Sequence, residues 1–556
     1  MLRNESPEPA RRLRAPTRHG EALCDPPLAT ASDVLRTNRQ LLQVAESHDV
    51  HGQSLHDLRR EARAEIARLA GAYTSAYRDV SAPCDLHGAS PIIMSGHQPE
   101  LVHPGVLFKH FALHQLAQDL RAVPIHVLID HDMQREPALH VPAGTPAQPQ
   151  VTTVPYDQTA PALPHENRLI LDPQRFTAFG EQIRRGVQPW IRDPLIETMW
   201  PAAQAACQRG ARLGQALAEA RHVLEQHWGL QTYEVPMSHL CDTDAFRRFA
   251  AHLLGRLPIV HHEYNEALRS YRSANSLRSR SHPVPDLAEQ DGWREAPFWI
   301  WSSSDPQRRP LFVQTRSGQV RLRAGGAESP NEHGRVPATV CEQTLSLSET
   351  GDASSAVAQL RDWRVRDGVI LRPRAIVTTM YLRLVLSDLF LHGIGGAKYD
   401  EITDQLMARL FGCPGPRFVT LSATFRLPLT ANPVGPDELR SAGHQLRDLW
   451  YHPERHLDGV AVPTEVAGPL LAQKREWIQA PAAASREEAS VRHEAMQAIN
   501  SQLRAWVAPQ RQQMLEQLQE LTDQARTDRQ LTSREFSFCL FSSRLLPTAL
   551  QRLATG

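Results

Sequence analysis

The chain has 556 residues, 41% hydrophobic and 22% charged, and its 61 Lys+Arg are balanced by 61 Asp+Glu. That length exceeds one ordinary core and implies two or three structural units. A formal charge of zero leaves no electrostatic footprint for nucleic acid or an anionic membrane, and no apolar run approaches the roughly 18 residues of a membrane span.

The first twenty residues are basic but carry no apolar stretch of the secretory kind, so a cytoplasmic, bacterial-type setting is expected. The seven cysteines are scattered and never form a CxxC pair, which argues against a disulfide framework or a cysteine-rich zinc site. Residues 1–30 are rich in Pro and Arg and are expected to be poorly ordered, within an N-terminal extension over 1–50. From Ser54 to Tyr73, apolar residues three or four apart behind Ser54-x-x-Asp57 predict a capped helix.

Residues 91–132 are the most informative stretch. Ile92-Ile93-Met94 reads as a short buried strand that ends at Gly96-His97-Gln98. Pro104-Gly105 starts the next segment, where Val106, Phe108, Leu113, Leu116 and Leu120 give helical spacing. A second apolar run, Val123 to Ile129, stops at Asp130-His131-Asp132. In open parallel sheets ligands bind beyond the carboxyl ends of strands, so His97, Gln98, Lys109 and Asp130–Asp132 are expected to share a crevice.

Beyond it, residues 133–170 are Pro-, Thr- and Gln-rich and predict no long element. Helices are expected over 174–186 and 202–227, a strand over 230–235, and helices over 246–254 and 263–271. The aromatic run Pro297–Trp301 reads as the core of a small domain beside a hairpin formed by 311–315 and 319–322. Val369–Leu371 is a further short apolar run, and 378–391 is helical in pattern. The run His392-Gly393-Ile394-Gly395-Gly396-Ala397-Lys398 follows, then a helix carrying Ile402, Leu406 and Leu410. Ser485-x-x-Glu488 is a capping box opening a long amphipathic helix of coiled-coil type, with a break at Pro509. Residues 535–541 return as a strand or helix.

Two blocks of this sequence resemble the BshC-type proteins, the cysteine-adding enzymes of bacillithiol biosynthesis. In the first block the matches are Gly96, Gln98, Lys109, Asp130, His131 and Asp132; His97 stands where the family has glutamine, and Ile129 where it has an acidic residue. In the second they are Arg372, Pro373, Gly395 and Gly396, with Tyr399 or Glu401 near the start of the next helix. The resemblance implies an α/β protein with a Rossmann-like parallel-sheet core, inserted segments, and a C-terminal helical element used for homodimerisation. Under it, residues 51–134 and 366–440 form two parts of the core, 135–365 an insertion, and 441–556 the helical region.

By the same resemblance the function is a ligase joining cysteine's carboxyl to the amine of an amino-sugar, glucosaminyl-malate-like acceptor. Such a ligation implies carboxylate activation by a nucleotide (ATP or ADP with magnesium) or another agent; the residues themselves do not identify the cofactor. His97, Asp130, His131 and Asp132 are the catalytic candidates, since a carboxylate beside an imidazole offers a general base. Gly96, Gln98, Lys109, Arg372, Gly393, Gly395, Gly396, Lys398, Tyr399 and Glu401 are the candidates for holding substrate or anion. The alternatives are another transferase, ligase or nucleotidyltransferase-like enzyme on the same fold, and a non-catalytic dimeric scaffold. His110 and His114 lie four apart on one helix face, but without the glutamate of a zinc-peptidase motif no metal is assigned.

Overall fold

Ile92, Ile93 and Met94 are buried, as is the whole of 123–128. These runs form adjacent parallel strands, Ile92–His97 and Val123–Leu128, in a computed structural model that describes residues 13–80, 90–279, 281–316, 318–325, 343–429 and 434–556. Near-continuous apolar runs of this kind suit a sheet covered on both faces. Four further strands complete it, in the order Glu21–Asp25, Phe418–Thr424, Leu389–His392, Ile92–His97, Val123–Leu128, Tyr233–Pro236. The five strands from Phe418–Thr424 onward are parallel, and Glu21–Asp25 adds to the edge antiparallel. The fold is therefore mixed α/β, as expected. Of the stretch expected to be poorly ordered, residues 21–25 are paired in this sheet, and 1–12 lie outside the described residues.

The helix Pro104–Asp119 follows the strand Ile92–His97. Proline sits at its first position, and the His103 side chain accepts the Gly105 N–H at 3.0 Å. The helix is buried almost all round rather than along one stripe, packed between the sheet and the C-terminal helix Leu545–Thr555. A Cβ on Gly105 would stand 2.3 Å from the Ala423 carbonyl oxygen, so glycine is what lets this helix approach the sheet.

Helix Leu55–Ser75 starts as predicted, with Ser54 accepting the Asp57 N–H at 3.1 Å. Its Arg59 and Arg63 cap the end of a second helix. Arg59 donates to the Leu384 carbonyl and Arg63 to the Leu386 carbonyl, at 3.1 Å for the latter. These carbonyls belong to a π-helical turn, Leu382–Leu386, that ends helix Ala375–Tyr381. Asp388 then accepts the Ile92 N–H at 2.8 Å and pairs with both arginines. This corrects the helix expected over 378–391: its last residues are the strand Leu389–His392, between Ile92–His97 and Phe418–Thr424 in the sheet.

Three other expectations change. Residues 133–170 contain two eight-residue strands, Ala138–Thr145 and Gln148–Pro155, paired as a hairpin. The helix expected over 202–227 is two, Leu195–Gln208 and Leu213–His227, divided at Gly210 with φ +80°. Val369–Pro373 joins a second, antiparallel sheet rather than the parallel one. That sheet has the order Gln343–Ser346, Gln319–Ala324, Asp305–Arg316, Trp293–Ser302, Val369–Pro373. It contains the predicted hairpin, and Phe298, Ile300 and Trp301 are buried as expected of a core.

Of the described residues, those up to Val141 with Thr152–Leu427 and Arg534–Gly556 form one compact unit, and Pro142–Val151 with Pro428–Ser533 form another. The second unit is largely helical: Pro436–Tyr451, Thr464–Gln479, Arg486–Trp506 and Ala508–Leu531. Ser485 caps its helix as predicted, and the break falls at Val507, two residues before Pro509. Residues 535–541 belong to the first unit, with Glu535 exposed, the chain buried from Phe536 onward and a 3-10 turn at Phe538–Leu540. The five described cysteines are free thiols, and among the described residues no helix is long and apolar enough to cross a membrane.

Candidate functional site

A cavity of about 630 Å³ opens at the carboxyl ends of the strands Ile92–His97, Val123–Leu128 and Leu389–His392. Gly96, His97, Gln98, Lys109, His131 and Asp132 line it together, as do Gly393, Gly395, Gly396 and Tyr399. The two sequence blocks therefore do meet. Lys398 is exposed and lines neither this cavity nor the neighbouring one, and Glu401 lines neither. Gly395 and Gly396 are not a loop but the first turn of helix Ile394–Phe411, with Gly393 at its N-cap.

Lys109 is the most unusual group here. It is only 2% exposed, its Nζ donates to the Gly96 carbonyl at 2.8 Å, and among the described residues no carboxylate lies within ion-pair distance. Burial, with a contribution from Arg221, pulls its pKa down to about 7. Arg135, Arg308, Arg374 and Arg534 add four guanidinium groups to the lining. Arg308 pairs with Asp132, Arg374 with Glu295 and Arg534 with Glu535, so Lys109 is the deeply buried cation left without an anion. Trp299 lies within cation–π range of both Arg308 and Arg374, at 4.3 and 4.0 Å.

Asp132 is a fixed, ionised carboxylate. Gln98 Nε2 donates to Oδ2 at 3.0 Å, and the Met133 N–H and Arg308 donate to Oδ1 at 2.9 and 3.0 Å. Burial works against ionisation, but these partners hold its pKa below the usual carboxylate range, which makes it a weak base. His97 is kept neutral by burial and by Lys109. Its Nδ1–H donates to the Gln98 carbonyl at 3.0 Å, which leaves Nε2 as a lone pair. Burial also holds His131 neutral, at about 3, with Nε2 3.4 Å from the Thr378 hydroxyl.

Asp130 and Arg372 do not share this cavity. Both line a second one, of about 460 Å³, on the other side of the 129–132 turn. Arg372 is buried and already bidentate to Glu166, at 2.9 and 2.8 Å, with Asp242 at 3.0 Å; its expected role in holding a free anion is replaced by these pairs. Asp130 is half-buried, and burial with the nearby Glu166 raises its pKa to about 7. The better base of the Asp130–Asp132 run is thus not in the cationic cavity.

Sequence reasoning missed Arg308, Arg374 and Trp299, and also the pair His392–Asp400. His392 Nε2–H donates to Asp400 Oδ2 at 2.5 Å, and Arg383 donates to the same oxygen at 2.8 Å. Although burial opposes it, His392 and Arg383 hold Asp400 well below the usual carboxylate range. A Cβ on Gly396 would stand 2.4 Å from His392 Nδ1, so this glycine makes room for the imidazole. Arg374 lies two residues from Arg372 and His392 one before Gly393, and nothing in the local pattern separates either from its neighbours.

His110 and His114 turn to different partners: His110 to Glu225 at 3.1 Å, His114 to the Gln231 N–H at 3.0 Å. His110, His126 and Glu234 do bring possible ligand atoms within 4.8 Å of one another. Arg221, paired with Glu234 and Glu225, already supplies positive charge to this cluster. No protein-family model matches the chain, and a search of curated proteins returns no match.

Proposed function

We propose that the chain is an enzyme that binds an anionic small molecule in the cavity above the parallel strands. The observation that carries this reading is Lys109: a buried ammonium without a carboxylate is costly unless a ligand completes it. The surrounding arginines, the neutral His97 with a free Nε2, and His392 oriented by Asp400 add what acyl or phosphoryl chemistry uses: anion binding and a proton acceptor.

Within that class we favour a ligase of the BshC kind, joining cysteine to an amino-sugar acceptor of the glucosaminyl-malate type, on a Rossmann-like core. The meeting of both sequence blocks in one cavity supports it. The basic lining fits the phosphates of a nucleotide, which would supply carboxylate activation; for magnesium the lining offers, among the described residues, the single carboxylate of Asp132, already held by Gln98 and Arg308. In this reading Lys109, Arg308 and Arg374 hold the anionic groups, and the C-terminal helices form a coiled-coil-type homodimer contact. A second reading, a different substrate on the same fold, is favoured by His97, whose neutral imidazole replaces an amide in the lining.

The test is a mass-spectrometric assay of purified protein with cysteine and glucosaminyl malate, with and without ATP and magnesium. A product at the mass of bacillithiol, absent with Lys109→Met, is expected. Folded protein that binds pyrophosphate yet forms no product would remove the substrate assignment; no binding of any anion would remove the enzyme reading at this site.

A further inference from the structure

Only three of the 61 Lys+Arg residues are lysine: Lys109, Lys398 and Lys474. The chain supplies positive charge almost everywhere by arginine, which keeps its proton at any physiological pH, whereas an ε-amine can lose one. Lys398 is exposed. Lys474 is buried, but it is paired with Glu454 and its Nζ donates to Asn500 Oδ1 at 2.6 Å. Among the described residues Lys109 is thus the lysine that is enclosed, lines a cavity and has no carboxylate partner. A place that needed charge alone would be served by arginine, as the rest of this lining is.

The surroundings of Lys109 favour the neutral amine over the ammonium. Enclosure withdraws water from the charged form, and the nearby Arg221 opposes it. One Nζ–H is donated to the Gly96 carbonyl, on the strand Ile92–His97, at 2.8 Å. That bond holds the nitrogen in place. It uses a hydrogen and not the lone pair of the neutral amine, because a carbonyl oxygen only accepts.

We propose that Lys109 is a nucleophilic amine that forms an imine with an aldehyde or ketone carrying an anionic group. The nitrogen lone pair adds to the carbonyl carbon, a C–N bond forms, and the π electrons pass to oxygen, which takes one N–H proton. The resulting hydroxyl then leaves as water with the second N–H proton, and a C=N bond remains; no oxidant or reductant is needed. His97, neutral with a lone pair at Nε2, lines the same cavity and can carry the proton from nitrogen to oxygen. Arg135 is in the lining without an ion pair among the described residues and suits the anionic end. The lowered pKa of Lys109, about 7, is in keeping with a reactive amine at neutral pH. The reactivity stands apart from the ligase assignment; the choice of an anionic carbonyl rests on the reading of this cavity as an anion site.

Reductive trapping on the unaltered full chain tests this. Protein is incubated with glyoxylate and sodium cyanoborohydride, and peptides are read by mass spectrometry for N-carboxymethyl-lysine. Lys109 is expected to be labelled at least tenfold faster than the exposed Lys398. With acetaldehyde, a carbonyl without the anionic group, that preference is expected to fall at least tenfold. Saturating pyrophosphate is expected to slow labelling of Lys109 and to leave that of Lys398 unchanged. Labelling of Lys398 without Lys109, or at an equal rate, would overturn the proposal. Equal preference with both aldehydes would overturn the anionic carbonyl as its substrate. Calorimetry with pyrophosphate on the same sample separates the two readings: binding without a Lys109 adduct strikes the imine alone, and an adduct without binding strikes the anion site alone.

Discussion

The two cavities stand on either side of one turn, and each has a charge that the protein leaves unmatched. On one side a buried lysine, Lys109, lacks a carboxylate among several guanidinium groups. On the other a half-buried carboxylate, Asp130, lacks a cation although Arg372 lies in the same lining, committed to Glu166 and Asp242. Each bonds to the fold, Lys109 to the Gly96 carbonyl and Asp130 to Ser238, but neither recovers the desolvation cost of its charge from an ionic partner. Other buried charges in the same unit have ionic partners: Asp388 has Arg59 and Arg63, Asp400 has Arg383, and Asp157 has Arg168. Buried Arg78 is instead held by two carbonyls, those of His222 and Leu230, away from either cavity lining. The contrast teaches that an unmatched charge facing a cavity, rather than charge as such, is what marks a group open to a ligand.

The sharpest way to break the comparison is to remove a matched charge. Arg372→Met leaves Glu166 and Asp242 facing one another and is expected to cost about 3–5 kcal/mol in denaturant unfolding. Removing the unmatched one should do the reverse. Lys109→Met is expected to lose roughly 10- to 100-fold or more in pyrophosphate affinity by calorimetry, while its melting temperature stays level or rises. The next effect is on pH. Lys109 is charged below its pKa of about 7 and neutral above it, so anion affinity should fall as pH rises, by about tenfold between pH 6 and 8. That dependence should disappear in Lys109→Met; a flat profile in the unaltered chain would remove Lys109 as the anion-binding group. The smallest effect is at Lys398, exposed and outside both cavities: Lys398→Ala should change stability by less than about 0.5 kcal/mol and leave anion affinity unchanged.

Local pattern sufficed where the polar chemistry and the apolar period lay in one stretch. The unit 91–132 gave its two strands, its helix and six lining residues, because a strand end and the next helix start are neighbours in sequence. The strand Leu389–His392 was hidden because its apolar residues continue the helical run before it, and the break comes from arginines more than 300 residues away rather than from a local glycine or proline. The hairpin over 138–155 was hidden by its polar composition, since most of its second strand is exposed or half-buried. In the site, the guanidinium lining comes from Arg135, Arg308, Arg374 and Arg534, in four separate segments, and only the fold brings them together. Nor did sequence show that Asp130 turns away from Asp132: that split depends on Ser238 drawing one carboxylate and Gln98 with Arg308 drawing the other.

The edge strand Glu21–Asp25 pairs residue for residue with Thr420–Thr424. On a ribosome the earlier strand therefore emerges roughly 400 residues before its partner, which at about 5–20 residues per second is a wait of roughly 20–80 s. During that interval its backbone N–H and C=O groups have no neighbour in the sheet, and Leu389–His392, which the sheet needs at its middle, has also not been made. The order of synthesis thus runs against the order of the strands, and the parallel sheet can be completed only late in translation.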